Sequence, residues 1–217
     1  MTRTDVKICG IASPSDYDVC AEAGAAFVGM VFYARSPRHL SFEQAALISQ
    51  HAQRQPHPGP KRVALTVNMN EAEMTSMIGI ADPDILQLHG DETPMQAEKL
   101  RARHGLPIIK AIRVASADDL IVCGEWEDVA DWLLFDAKGD PGGLPGGTGH
   151  IFDWTLLANH AGKTKWMLAG GLSAENVGRA IATTNAKAVD VSSGVESAPG
   201  KKDPRLIHAF VSAAQIG

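Results

Sequence analysis

Ile85-Leu86-Gln87-Leu88-His89-Gly90-Asp91 is a short apolar run with polar side chains at alternating positions. Successive side chains of a strand point to opposite faces, so Gln87 and His89 share one face and Leu86 and Leu88 the other. Val189-Asp190-Val191-Ser192 has the same form. Such strands are expected where one face fills the interior of a closed barrel. Working outward from these two, strand candidates begin near Val6, Ala26, Lys61, Asp84, Pro107, Asp131, Trp166 and Ala188, eight in all.

Amphipathic segments lie between them. Ser41 with Gln44 three residues on reads as a capping box opening a helix to about Arg54. Met74, Met77 and Ile78 fall at helical spacing, and Ser173 is placed to cap a helix carrying Val177, Ala180 and Ile181. Asp203-Pro204 opens a last helix with the stripe Ile207, Phe210, Val211 and Ala214. Eight β/α units with no break in composition favour one (βα)8 TIM barrel spanning residues 1–217. A doubly wound sheet would need only about five strands. The long loops are 33–40, 55–60 and 138–151. Barrel active sites are built by the loops at the C-terminal strand ends, so those ends are where polar residues matter.

The net charge of −5 argues against a nucleic-acid or anionic-membrane binder but leaves room for a local anion site made by backbone amides. No apolar run is long enough to span a bilayer, and the chain passes from Met1 through polar residues straight into a strand, so no leader is expected. Three unpatterned cysteines suggest neither a disulfide framework nor a zinc site, and point to the cytoplasm. Monomer and homodimer stay equally open.

The first strand ends Val6-Lys7-Ile8-Cys9-Gly10-Ile11. A lone strand cysteine is more often a small buried apolar residue. Lys7 and Cys9 share a face, however, and a lysine beside a thiol favours the thiolate. Gly10 allows close approach to the backbone. The sixth strand ends Leu133-Leu134-Phe135-Asp136-Ala137-Lys138. Asp136 reads by default as a helix cap or ion-pair partner, but no helix follows until about Phe152.

Gly139 to Gly149 holds six glycines in eleven residues; it is a lid in the bland reading, and Gly147, Thr148 and Gly149 offer amides and a hydroxyl to an anion. Gly170 and Gly171 follow the seventh strand, and Ser193 and Gly194 the eighth. Barrels frequently bind phosphate between these last loops. Arg38, after the rigid Pro37, is placed to clamp a substrate carboxylate, whereas Arg35 reads as solvated. Lys7, Gln87 and His89 are expected to line the substrate pocket. The other histidines lack metal-ligand spacing, so no metal and no cofactor is expected.

Taken together, Lys-Ile-Cys-Gly at 7–10, Val-Phe-Tyr-x-x-Ser-Pro-Arg at 31–38, Leu-Gln-Leu-His-Gly-Asp-Glu at 86–92, Phe-Asp at 135–136, Gly-Gly-Thr-Gly at 146–149, Ala-Gly-Gly-Leu at 169–172 and Asp-Val-Ser-Ser-Gly-Val-Glu at 190–196 resemble the phosphoribosylanthranilate isomerases of tryptophan biosynthesis, over essentially the whole chain. The resemblance implies Cys9 as general base, Asp136 as general acid and Arg38 on the anthranilate carboxylate, with 147–149, 170–171 and 193–194 holding the phosphate of a small phosphorylated substrate. Thr66 departs from the pattern, which more often has an aromatic nearby, and a change in packing beside the pocket is expected.

The implied Amadori rearrangement opens a protonated furanose to a Schiff base and then removes a C2 proton, so it needs an acid and a base. Each positioned proton transfer is worth about 10²–10⁴-fold. Apolar Leu134 and Phe135 would keep Asp136 protonated by desolvation, and Lys7 would favour a Cys9 thiolate. An indole-glycerol-phosphate synthase would have a longer N-terminal extension, a ribulose-phosphate epimerase metal ligands, and a histidine-pathway isomerase an aspartate in place of Cys9. A catalytically silent barrel would not depend on either Cys9 or Asp136.

Overall fold

The computed structural model describes residues 3–138, 152–158 and 160–216. Eight parallel strands, β1 (Asp5–Cys9), β2 (Phe27–Phe32), β3 (Lys61–Thr66), β4 (Ile85–Leu88), β5 (Ile108–Val114), β6 (Trp132–Ala137), β7 (Lys165–Leu168) and β8 (Ala188–Val191), form a barrel in sequence order. β8 closes on β1 with Asp5 opposite Ala188 and Lys7 opposite Asp190. All eight expected strands are present.

Strand alternation sorts the side chains into two cores. Val63, Ile85, Ile109, Leu134, Met167 and Ala188 fill the lower barrel interior, with Cys9, Val31 and Leu65 in a layer above. Their neighbours in sequence, including Ile8, Met30, Leu86, Ile112 and Phe135, face outward and pack with Ile48, Met77, Ile181 and Phe210. Each fully buried aliphatic or phenyl side chain of this kind contributes about 1.5–3 kcal/mol. Thr66 lies on the outward side with Ala64, fully buried, with no hydrogen bond to its hydroxyl among the described residues. The family departure at Thr66 therefore falls in the helix layer and not beside the barrel mouth.

Among the described residues, six α-helices surround the barrel: α1 (Pro14–Ala23), α2 (Phe42–Gln53), α3 (Glu71–Ala81), α4 (Pro94–His104), α5 (Val177–Thr184) and α6 (Pro204–Ile216). The Ser41–Gln44 capping box forms as read, and Thr93–Gln96 makes a second on α4. Two connections differ from a regular β/α repeat. Ala117–Trp126 and Trp154–Leu157 are 3₁₀ helices. In the first, Asp119 accepts from the amides of both Ala115 and Ser116, and Ile121, Val122, Cys123 and Gly124 are poor α-helix formers. The expected Ser173 cap is also corrected. α5 opens at Val177 behind Asn176, whose amide side chain ties down Ser173 N–H and Gly171 C=O instead. After β8, a two-stranded hairpin, β9 (Glu196–Ala198) and β10 (Lys201–Lys202), precedes α6.

Candidate active site

The inward-facing alternation carries past the strand ends, bringing Cys9, His89, Arg113, Asp136 and Ser192 to one mouth. Each lies an even number of residues from an inward-facing neighbour on its own strand. Cys9, His89 and Asp136 are all buried there.

Cys9 owes its position to a glycine on the adjacent strand. A Cβ on Gly29 would lie 2.8 Å from Cys9 Sγ and 3.0 Å from its Cα, so no larger residue fits beside the thiol. Below it, fully buried Lys7 places Nζ 2.8 Å from Asp190 Oδ1. Lys7 does not draw the thiol below its ordinary range. Burial pushes the Cys9 thiol up; Lys7 opposes this, while Asp190 adds to the rise. Lys7 itself sits above its ordinary range, because Asp190 and the thiol outweigh the burial that would lower it. The lysine is where the sequence placed it, but its charge is shared with an aspartate 183 residues away.

Gln87 Nε2 lies 2.9 Å from His89 Nδ1. An amide nitrogen only donates, so Nδ1 accepts and the neutral ring carries its proton on Nε2. That nitrogen faces Asp136 Oδ2 at 3.4 Å. The angle at that distance makes no hydrogen bond and leaves Nε2 without a partner among the described residues. Asp136 Oδ1 accepts from the Ala137 amide, which fixes the carboxyl at the rim. Arg113 pairs with Asp136 in the sheet register, while its side chain reaches Asp91 at 3.0 Å.

Arg38 arrives from the loop after β2. Its aliphatic stem lies on Gly10, where a Cβ would come within 2.5 Å of Arg38 Cδ; Gly10 also has φ +82°, a conformation that favours glycine. The guanidinium is not free. Nε and Nη2 donate to Glu196 Oε1 and Oε2 at 2.7 and 2.8 Å, and buried Lys202 donates to the same carboxylate at 2.8 Å. Burial would raise the Glu196 carboxyl, but Arg38 and Lys202 hold it below the usual range.

The loops after β7 and β8 meet backbone to backbone. Gly170 (φ +85°) leaves no room for a side chain, since a Cβ would lie 2.7 Å from the Ala137 nitrogen, and one on Gly194 would lie 2.0 Å from the Leu172 carbonyl oxygen. The amides of Gly170, Gly171, Ser193 and Gly194 donate no backbone hydrogen bond to a described residue. They are thus available to an anion. Gly147, Thr148 and Gly149 lie outside the described residues.

Comparison with known proteins supplies the reaction. Residues 6–213 match the model of the N-(5'-phosphoribosyl)anthranilate (PRA) isomerase family. The N-(5'-phosphoribosyl)anthranilate isomerase of Parvibaculum lavamentivorans is 50% identical over 213 residues, covering 97% of each chain. The crystal structure of the Thermotoga maritima phosphoribosyl anthranilate isomerase superposes with a TM-score of 0.86 at 34% identity, covering 99% of this chain and 100% of that one. A structure of such an isomerase in complex with reduced 1-(o-carboxyphenylamino)-1-deoxyribulose 5-phosphate gives a TM-score of 0.84 at 33% identity, covering 99% of this chain and 100% of that one.

The chain belongs to the phosphoribosylanthranilate isomerase family. It is an isomerase of tryptophan biosynthesis with the TIM-barrel fold. Four polar residues of the isomerase's mouth were given no role in the sequence reading. Asp190 and Arg113 were signalled by alternation alone, the first beside Val189 and Val191, the second two residues after Ala111. Glu196 closes the quoted block at 190–196 but was given no role, because its contact with Arg38 spans 158 residues, and Lys202 enters only through its bond to Glu196. Among the described residues, no helix of the isomerase is long and apolar enough to cross a membrane.

Proposed function

We propose that Cys9 and Asp136 carry the two proton transfers of the isomerisation, and that Arg38 and the late glycine loops hold the substrate. The observation that carries this reading is the convergence of one thiol, one carboxyl and one donor-bearing imidazole at a single barrel mouth. Asp136 protonates the furanose ring oxygen as the C1–O bond breaks, and the anilino nitrogen lone pair closes a C1=N bond. Cys9, as thiolate, then takes the C2 proton. The resulting enolamine is protonated at C1 and loses its C2 hydroxyl proton to become the ketone. Protons are redistributed within one molecule, so the sequence of steps calls on no cofactor.

The raised Cys9 thiol is compatible with this role. Desolvation lowers the thiolate population at neutral pH and makes each thiolate a stronger base toward a weakly acidic C–H. Lys7, fully covered beneath it, acts on that balance by charge and not by touching the substrate. His89 presents its Nε2–H toward Asp136 and the substrate, held in that tautomer by Gln87. The phosphate is assigned to the open amides of 170–171 and 193–194, together with 147–149. The three cysteines, all free and buried, fit a reducing cytosol.

The test is loss of anthranilate-type fluorescence when the protein is added to freshly formed phosphoribosylanthranilate. Asp136→Asn is expected to lower turnover by about 10²–10⁴-fold while a product analogue still binds. An active Asp136→Asn protein would remove the residue from its role.

A further inference from the structure

We propose that Glu196 and Lys202 are positioning residues for Arg38: they fix which edge of its guanidinium faces the pocket and keep the cluster cationic, so that it selects an aryl carboxylate on the substrate. The proposal rests on the reading of Arg38 as the carboxylate binder.

The geometry supplies the argument. Glu196 engages Arg38 side-on through Nε and Nη2, which uses both of its oxygens. Nη1 is left with no hydrogen bond to a described residue, so the donor pair at that end is available to a second carboxylate. A carboxylate this close to a substrate-binding arginine would ordinarily cancel its charge. Here Lys202 Nζ sits 2.8 Å from Glu196 Oε1, so two basic side chains share one carboxylate; burial draws the Lys202 ammonium down and Glu196 opposes that, and with both bases protonated the cluster keeps one net positive charge. All three side chains are almost wholly covered, at 7, 4 and 1% exposure for Arg38, Glu196 and Lys202, so solvent screens that charge little.

The hairpin β9–β10 holds the cluster in place. Gly200, at its turn with φ +78°, donates its amide to Glu196 Oε2, and a Cβ there would lie 2.5 Å from the Pro37 carbonyl oxygen. The turn is therefore pressed against the loop that carries Arg38. Lys202 also donates to the Ser192 carbonyl, and the Ser192 hydroxyl donates to the Cys9 carbonyl. The hairpin thus ties the carboxylate-binding end of the pocket to the strand bearing the thiol.

The experiment compares phosphoribosylanthranilate with its carboxylate-free analogue, phosphoribosylaniline, as substrates for wild type, Glu196→Gln, Lys202→Met and Arg38→Gln. Glu196→Gln is expected to raise KM for the anthranilate substrate about tenfold, as for loss of a hydrogen bond to a charged group, with kcat within about twofold. Turnover of the aniline analogue should change by less than about twofold, which also shows the variant is folded. Lys202→Met, which lets Glu196 neutralise Arg38, is expected to cut the preference for the carboxylate-bearing substrate by a similar factor. If Glu196 merely competed with substrate for Arg38, Glu196→Gln would lower KM, and that result overturns the proposal. Equal losses on both substrates overturn it as well, because they report only a structural role. If Glu196→Gln does not fold, Lys202→Met decides by the same ratio, an unchanged preference overturning the proposal. Arg38→Gln separates the underlying reading: a loss that is equal for both substrates refutes Arg38 as the carboxylate binder, whatever Glu196 does.

Discussion

Replacing Asp190 with asparagine would leave a lysine charge in the barrel interior without its counterion. Lys7 is fully covered, and its Nζ lies 2.8 Å from Asp190 Oδ1. Removing one partner of a buried pair costs about 3–5 kcal/mol, because the remaining charge has lost both water and its partner. For a chain of this size each kcal/mol moves Tm by about 2–4 °C, so Asp190→Asn should melt roughly 6–20 °C below wild type. The pH dependence carries a sign that tests the cause. In wild type the Lys7 pKa is raised on folding, so its contribution is complete below the ordinary lysine pKa and fades only as pH climbs through the folded value. In Asp190→Asn, burial acts on Lys7 with its main opponent gone, and the folded pKa falls below the unfolded one. The unfolded chain then binds more protons, so the variant gains stability with rising pH. The deficit in Tm, followed by circular dichroism, should therefore narrow between pH 6 and pH 9. A loss under about 2 °C, or a deficit that widens with pH, would refute the account of Lys7 as a buried ammonium held by Asp190.

Two further outcomes are expected. The Cys9 thiol, raised by burial, should reach half-maximal alkylation by iodoacetamide at a pH above the ~8.5 of a free thiol, measured by mass spectrometry of the Cys9 peptide; a midpoint below pH 8 would contradict the desolvation argument. Gly170→Ala places a Cβ 2.7 Å from the Ala137 nitrogen at φ +85°, so a stability loss of about 1–3 kcal/mol in urea unfolding is expected, together with a higher KM for the phosphorylated substrate. Wild-type stability and KM in that variant would show the loop to be adaptable.

Much of the barrel was legible because strand alternation and helix capping are local. Gln87 and His89 share a face because they are two residues apart, and the Ser41–Gln44 box closes because its members lie within one turn. The same period places Cys9 and Asp136 at the mouth once eight strands are counted. The 3₁₀ connection at 117–126 was less visible, since competition between a side-chain bond from Asp119 and weak helix propensity has no strong period.

What the sequence alone determined was the fold, the end of the barrel that holds the chemistry, and which residue types stand there. The tertiary structure decided which charges they face and how they are oriented. Lys7 lies beside Cys9 in sequence, yet Asp190 claims its ammonium and burial lifts the thiol. Arg38 was placed at the pocket by Pro37, yet the aim of its guanidinium is set by Glu196, 158 residues away, and Glu196 is shared with Lys202. Side-chain direction along a strand is a covalent property of neighbouring residues. The energy of a charge depends on distance through space and on excluded water, and only chain closure fixes those.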